Sequence, residues 1–552
     1  MTNKEIAKTF QELADIMELH QENPFKIKTY LNAYIALRKV QTPLEEMSLE
    51  DLTEIKGVGK AVSEKIQELI KNGTLEALRH YQQLTPPGVV EMLKIKGFGP
   101  KKVLTVWKEL GIDTIGELLY ACNENRLIEL YGFGKKTQEE IKKNLEYYQR
   151  SKNKLLYADA ISIAETLSFF LKEKLQGVEI ALVGELRRKS PVVSKMECLI
   201  GLDATFEAVF DTSVYIIIQQ QGNECIVRTP DESIIFVYKC SPAEWGSKLF
   251  RYTGSQDFMK AFLEQTAVQD FKNIATEAAV FEKAGFEYTL PELRENGLYI
   301  KNKGVSDIPA LIEMTDIKGV IHNHTTYSDG IHTLKDMALQ AKSLGYAYIV
   351  ITDHSKSAFY ANGLREDRLA EQWLEIDQIN PELAPFKIFK GIESDILHDG
   401  SLDYSDDVLG KFDCIIASIH SNLRMTLEKA TERLISAIEN PHTKILGHPT
   451  GRLLLSREGY PIDHQKVIDA CAANGVAIEL NANPYRLDLD YTWIPYAMEK
   501  GVLIAINPDA HSKEGINDIR FGVLAARKGA LTREFCLNSM DLPTFEAWLS
   551  RH

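Results

Sequence analysis

The chain has 552 residues, 44% hydrophobic and 26% charged, which is ordinary for a globular protein of about three to five domains. A net charge of −14 argues against a chain coated along its length by nucleic acid, and no apolar run approaches the ~18 residues that cross a bilayer. Seven scattered cysteines without a CxxC pair exclude a disulfide framework and a zinc ribbon, and are expected in a reducing cytoplasm.

The opening MTNKEIAKTFQELADIMELH reads as an amphipathic helix with acidic residues, not as a signal peptide. Residues 1–150 hold 22 Lys/Arg and 22 Asp/Glu, so all of the net charge lies downstream. Eleven of the thirteen histidines fall from His322 onward, so the two ends of the chain are built for different chemistry.

Three early segments repeat one pattern: IKGVGKAVSEKI (55–66), IKGFGPKKVLTVW (95–107) and LYGFGKKTQEEI (130–141). Each has an apolar residue, then G-x-G, then lysine, then an amphipathic helix. Glycine permits the tight turn, and the N–H groups at the next helix start can hold a phosphate. Gly57, Gly59, Lys60, Gly97, Gly99, Lys101, Lys102, Gly132, Gly134 and Lys135, with Lys136, are therefore expected to grip a nucleic-acid backbone without reading bases. The order of these segments, behind NPFKIKTYLNAYIALRKV (23–40), resembles the family X DNA polymerases. The resemblance implies a small helical domain that holds gapped DNA. It also places Lys65 of GVGKAVSEKI at the family's lyase position, although the basic residue expected two places after GVG is Ala61.

A helix pattern over 152–175 precedes a strand-rich region. The family pattern there is G-S-x-R-R, a strand with D-x-D, a third Asp, and a Y-x-T-G-S turn. This chain has GELRR (184–188) and RYTGS (251–255), but Glu185 replaces the serine, and the three carboxylate positions fall on Lys195, Glu197 and near Phe236. Two-metal phosphoryl transfer needs clustered carboxylates, so Mg²⁺ binding and nucleotide addition are expected to be lost here. Arg187 and Arg188 are open between DNA contact and internal packing.

From residue 317 seven apolar runs alternate with helical segments: KGVIHNH, AYIVITDH, FKIFKGIE, FDCIIASIH, TKILGH, GVAIELN and GVLIAINPDAH. This predicts a parallel β/α barrel, whose chemistry gathers at the C-terminal ends of its strands. His322, His324, Asp329, His354, Glu393, His420, His448, Asp509 and His511 all fall there, and the sixth strand delivers Asn481. A His/Asp/Glu set without cysteine suits about two to three ions of Mn²⁺, Zn²⁺ or Fe²⁺. The motifs HNHTTYSDG, TDHS, GIESDI, SIHSN, GHPTGR and NPDAH resemble the polymerase-and-histidinol-phosphatase (PHP) domain. That resemblance implies a distorted seven-unit barrel, a trinuclear centre using all nine residues, and phosphoester hydrolysis; beside a family X body it implies a 3′–5′ exonuclease. Glu393, Asp329 and His354 are expected to carry catalysis. Asp353 is expected to orient a ligand, and Arg452 and Arg486 to clamp phosphate.

The expected whole is a multidomain α+β and α/β chain. Helix-hairpin-helix modules occupy 1–85 and a fingers-like 86–151. An inactive nucleotidyltransferase-like palm (152–250), a thumb (251–303), a linker (304–316) and a metal-dependent barrel (317–552) follow. The expected function is metal-dependent 3′–5′ exonuclease and DNA-end repair. Two alternatives stay open: an active family X polymerase, and a phosphatase of small monoesters with a non-catalytic N-terminal module.

Overall fold

A computed structural model of the chain describes residues 1–550 apart from 124–125, 131, 152–153, 211–213, 231, 269, 306–308 and 456–457. The boundary expected at 152 and part of the linker expected over 304–316 lie outside the described residues. The chain divides into two compact units, Met1–Lys152 and Asn153–His552.

The first unit is helical. In all three G-x-G turns the first glycine takes a left-handed φ, +97° at Gly57, +77° at Gly97 and +82° at Gly132. The residue between the glycines is buried and donates its N–H three residues back: Val58 to Ile55, Phe98 to Ile95, Phe133 to Leu130. The turn thus plugs one apolar side chain into the core while its glycines stay exposed. Val58 enters one core, with Ile6, Phe10 and Leu13, whereas Phe98 and Phe133 share another.

The second unit begins with a five-stranded sheet of β1 (Ile180–Val183), β2 (Met196–Ile200), β3 (Ile216–Gln221), β4 (Glu224–Arg228) and β5 (Ile234–Lys239), in the order β1-β2-β5-β4-β3. Only β2 and β5 run parallel. Beyond it, Phe250, Phe258, Phe262, Phe281 and Phe286 form the core of a small helical region. Both arginines of the RR pair are internal to this body. Arg187 donates two bonds of 2.7 Å to Glu277 and one of 2.6 Å to Thr253, while Arg188 pairs with Glu295 at 3.1 Å.

Glu277 also accepts from Arg294, whose side chain is fully buried, at 2.6 Å. Burial alone would raise its carboxyl, but Arg187 and Arg294 hold it down to about 2, against an ordinary 4.5. That difference corresponds to about 3 kcal/mol of stability. Because the folded value lies below the unfolded one, the contribution is complete above about pH 5 and drains away as the pH falls toward 2. Glu277→Ala strands the buried Arg294 and is expected to cost about 3–5 kcal/mol, read as a lowered midpoint in thermal denaturation at pH 7. The deficit relative to wild type should shrink as the pH drops below 4.

The rest of the unit is a ring of seven parallel strands in chain order: β6 (Gly319–Val320), β7 (Tyr348–Ile351), β8 (Lys387–Asp395), β9 (Cys414–Ser418), β10 (Ile445–Leu446), β11 (Ala477–Asn481) and β12 (Ile504–Asn507). A parallel bridge between Asn323 and Ala510 joins the last to the first. Apart from Lys387 and Lys390 the strands are buried, as a sheet covered on both faces requires. One continuous apolar core runs from Tyr157 and Leu186, beside the five-stranded sheet, to Ile478 and Ile506 of the barrel. Lys528, on the helix Ile519–Lys528, adds a polar joint by donating to the Arg188 carbonyl (2.8 Å) and to Glu295 (2.6 Å). All seven cysteines are free and buried. Among the described residues no helix is long and apolar enough to cross a membrane.

Candidate metal centre and the palm face

The bridge that closes the barrel also assembles the site. Asn323 and Ala510 pair as the middle residues of H-N-H and D-A-H. His324 donates its N–H to the Ala510 carbonyl (2.8 Å), and Ala510 donates to the His322 carbonyl (3.2 Å). Flanking residues therefore project together. His322 and Asp509 sit at φ of +65° and +51°, a costly backbone for a side chain with a Cβ.

Glu393, at the end of β8, is the hub. His322, His420 and His448 come within 3.3, 3.1 and 3.0 Å of its Oε1, and His324 and His354 within 3.6 and 3.0 Å of Oε2. Asp329 lies 3.8 Å from His324, 3.6 Å from His354 and 3.4 Å from His511. Three groups offer ligand atoms within 4.8 Å of one another: His324, Asp329, His354 and His511; His322, His324 and Asp509; His354, Glu393 and His420. With His448, bonded to Glu393, these are the nine residues expected from the sequence.

The electrostatics fit cations. Burial would raise the Glu393 carboxyl, yet His420, His322 and His354 hold it well below the carboxylate range. Burial would lower His420, yet Glu393 and Asp395 push it up to about 10. His324 goes the other way, because burial and then the neighbouring rings of His511 and His354 press it down to about 3. Buried His322 Nε2, His324 Nδ1 and Glu393 Oε2 have no hydrogen-bond partner. Orphaned nitrogen and oxygen atoms facing one another, with no sulfur, fit divalent ions of the Mn²⁺, Zn²⁺ or Fe²⁺ kind.

Two supporting acids escaped the sequence reading. Glu479, fully buried on β11, takes His322 Nδ1 at 2.6 Å and accepts from the His448 N–H and from Asn481 and Asn507. Asp395 takes His420 Nδ1 at 2.5 Å. The signals were a lone acid inside the apolar run VAIELN, and a second acid two residues beyond Glu393, on the same face of its strand. Such partners fix the tautomer of a ligand. Glu479→Gln is expected to weaken divalent-metal retention about 10–100-fold, read by metal content after graded dialysis against chelator.

Other expected roles change. Asp353 touches no histidine ring. Its carboxylate accepts from Thr325, Ser328 and Gln372, and so pins the loop that carries Asp329. Arg452 is not free to clamp phosphate: its guanidinium donates to the carbonyls of Arg486 and Leu487 and to Asp490 (2.6 Å). It braces the loop that presents Arg486, whose Nε lies 3.6 Å from Asp509.

On the five-stranded sheet, β2 and β5 pair Glu197 with Phe236, so Lys195, Glu197, Phe236 and Tyr238 share one face. The three expected carboxylate positions do converge. What fills them is an ion pair, Lys195 to Glu197 at 3.0 Å, with Lys195 donating to the Tyr238 hydroxyl (2.5 Å) and Tyr238 donating to Glu197 (2.7 Å). The Lys195 ammonium also lies 4.2 Å from the centre of the Phe236 ring. Glu185 is spent on the N–H groups of Ser194 (2.5 Å) and Lys195 (3.2 Å).

In the helical unit the hairpin glycines Gly59 and Gly99 cap the helices Lys60–Asn72 and Pro100–Leu110, and no side chain covers the N-terminal N–H groups. Lys60, Lys101 and Lys135 are exposed, whereas Lys102 turns back onto the Gly97 carbonyl (3.1 Å). Lys65 pairs with Glu68 at 3.6 Å, a carboxylate where an activated amine would need a cation or a dry pocket.

Residues 1–75 match the helix-hairpin-helix domain family, residues 89–146 the SAM-like helix-hairpin-helix tandem, and residues 321–483 the PHP domain. Over the full length of both chains the sequence is 34% identical to the DNA polymerase/3′-5′ exonuclease PolX of Bacillus subtilis. A probable phosphatase of Thermoanaerobacter sp. (strain X514) is 28% identical over 40% of this chain and 89% of its own. A probable phosphatase of Acetivibrio thermocellus is 30% identical over 34% and 78%.

Proposed function

The chain belongs to the family X DNA polymerase/3′-5′ exonuclease family, and from that premise we propose that it shortens DNA from the 3′ end by metal-dependent hydrolysis on a polymerase body that no longer adds nucleotides. The observation that carries the reading is the convergence of nine His, Asp and Glu side chains, with Glu393 as their hub. His322, His324, Asp329, His354, Glu393, His420, His448, Asp509 and His511 would hold about two to three ions of Mn²⁺, Zn²⁺ or Fe²⁺. Bound there, the ions supply a hydroxide at neutral pH and stabilise charge on the phosphate oxygens.

The protein's own groups do the rest. Glu393 gathers five imidazoles, and with Asp329 and His354 it lines the place where the scissile phosphate must sit. Glu479 and Asp395 keep the rings of His322 and His420 turned toward it. Arg486, beside Asp509, meets a phosphate oxygen through its fork of N–H groups. Gly57, Gly59, Lys60, Gly97, Gly99, Lys101, Gly132, Gly134 and Lys135 hold gapped or 3′-ended DNA through its phosphates.

The palm supports loss of synthesis. A lysine ammonium at ~4 Å repels a unit positive charge by about 4 kcal/mol at an effective dielectric of 20, and a divalent ion by about twice that. Glu197 is already neutralised by Lys195, and Phe236 offers no oxygen. The division into 1–85, 86–151, 152–250, 251–303, a linker over 304–316 and 317–552, in a cytoplasmic protein of DNA repair, is part of this reading.

A second reading, hydrolysis of small phosphate monoesters, is favoured by the match of 34–40% of the chain to probable phosphatases. The test is a 5′-labelled oligonucleotide in Mn²⁺ beside a small aryl phosphate. A ladder of 3′-shortened products, absent in His322→Ala/His324→Ala, supports the proposal. Shortening unchanged in that variant, or turnover of the aryl phosphate alone, would refute it.

A further inference from the structure

We propose that the exposed rings of Phe359 and Tyr485 are a stacking platform for the last bases of a single-stranded 3′ end entering the metal centre. The inference rests on the exonuclease reading and names the form of DNA that the centre takes.

Phe359 is five residues beyond His354, so it lies within about 18 Å of that residue along the chain. The loop that carries it starts and ends on His354: Leu364 donates its N–H to the His354 carbonyl (2.8 Å), and Ser355 bridges Leu364. Its closure needs glycine at 363, where a Cβ would stand 1.9 Å from the Ser355 carbonyl oxygen. Side bonds pin it further. Ser357 donates to Asp395, the partner of His420, and Asn362 donates to the Tyr327 carbonyl beside the Asp329 loop. Ala358 is fully buried.

On this anchored loop the Phe359 ring is 81% exposed. Burying a phenylalanine is worth about 2–3 kcal/mol, and a loop held this firmly could have turned the ring inward. A single exposed apolar ring is common on protein surfaces. A second one, on another rim loop, makes the case. Tyr485 is 54% exposed and immediately precedes Arg486, whose guanidinium stands 3.6 Å from Asp509. The Tyr485 backbone is fixed at both polar groups, its N–H donating to Asn483 and its carbonyl accepting from Leu454. Phe359 thus stands on the loop clipped to the ligand His354, and Tyr485 on the loop that follows Asn481 and carries Arg486 to Asp509.

Every base has a π face, so such rings hold nucleotides without reading sequence. In a duplex the faces are stacked on neighbouring pairs; at a single-stranded end the terminal ones are open. The occupant that fits is therefore an unpaired 3′ end of two or more nucleotides.

The test measures binding of a 5′-fluorescein, phosphorothioate-protected single-stranded oligonucleotide by anisotropy, with intact bases or with abasic sugars at the last two 3′ positions. Phe359→Ala is expected to weaken binding of the base-bearing probe about 10-fold, and Phe359→Trp to restore it. The abasic probe should bind the wild type and Phe359→Ala alike. The ratio of oligonucleotide to aryl-phosphate kcat/KM should fall by a similar factor in Phe359→Ala, and again in Tyr485→Ala. Equal affinity of wild type and Phe359→Ala for the base-bearing probe, failure of Trp to restore it, or the same loss on the abasic probe would overturn the proposal. Absence of oligonucleotide shortening by the wild type would instead remove the exonuclease reading, leaving the anisotropy result to judge the platform alone.

Discussion

Glu393→Ala is expected to abolish hydrolysis of DNA ends and to empty the centre of metal. Loss of a residue that only orients a metal ligand costs about 10–100-fold. Glu393 is approached by five histidines within 3.6 Å, so its loss should exceed about 100-fold in kcat/KM. The reason is electrostatic. The carboxylate is the anion around which the imidazoles close, and its own proton is held off by His420, His322 and His354. With alanine there, five imidazoles lose the carboxylate they share, and Asp329, Asp395, Glu479 and Asp509 each serve only part of the ring. Metal content after dialysis and 3′-end shortening in Mn²⁺ are the measurements. Shortening within about threefold of wild type would contradict the assignment.

The purified protein is expected to incorporate no nucleotide at a gapped or recessed 3′ end, in Mg²⁺ or in Mn²⁺. The expected deficit relative to its hydrolytic rate is at least about 10³-fold, less than the repulsion of a divalent ion by Lys195 alone would give. The chemistry is closed off at each position: Glu197 is salt-bridged and hydrogen-bonded, Phe236 is covered by the Lys195 ammonium, and Glu185 is tied to Ser194 and Lys195. Labelled nucleotide added to primer ends is the readout. Incorporation that needs a template, and that survives Glu393→Ala, would contradict it.

Much of this was legible in the sequence because two periods carry it. H-N-H and D-A-H place ligands two apart, and the strand period sends both members to one face, so the rim could be drawn before any coordinates. The G-x-G turns were equally plain, since a left-handed φ and a buried middle residue demand that pattern. The partners of Glu479 and Asp395 were not legible, because neither a lone acid in an apolar run nor an acid two residues beyond a ligand shows which ring it will meet. Arg452 misled for a related reason. A guanidinium near a phosphate-type site looks like a clamp, but here it satisfies backbone carbonyls of a neighbouring loop, a partnership set by tertiary structure alone. The change of pattern at residue 317 was legible, but the packing across it was not: Tyr157 and Ile478 belong to one core and Lys528 is bonded to Arg188.

Anomalous scattering from a manganese-soaked crystal tests the central claim most directly. The account predicts about two to three peaks among His322, His324, Asp329, His354, Glu393, His420, His448, Asp509 and His511, and none beside Glu197. Manganese bound between Glu197 and Glu185, with the barrel rim bare, would contradict it.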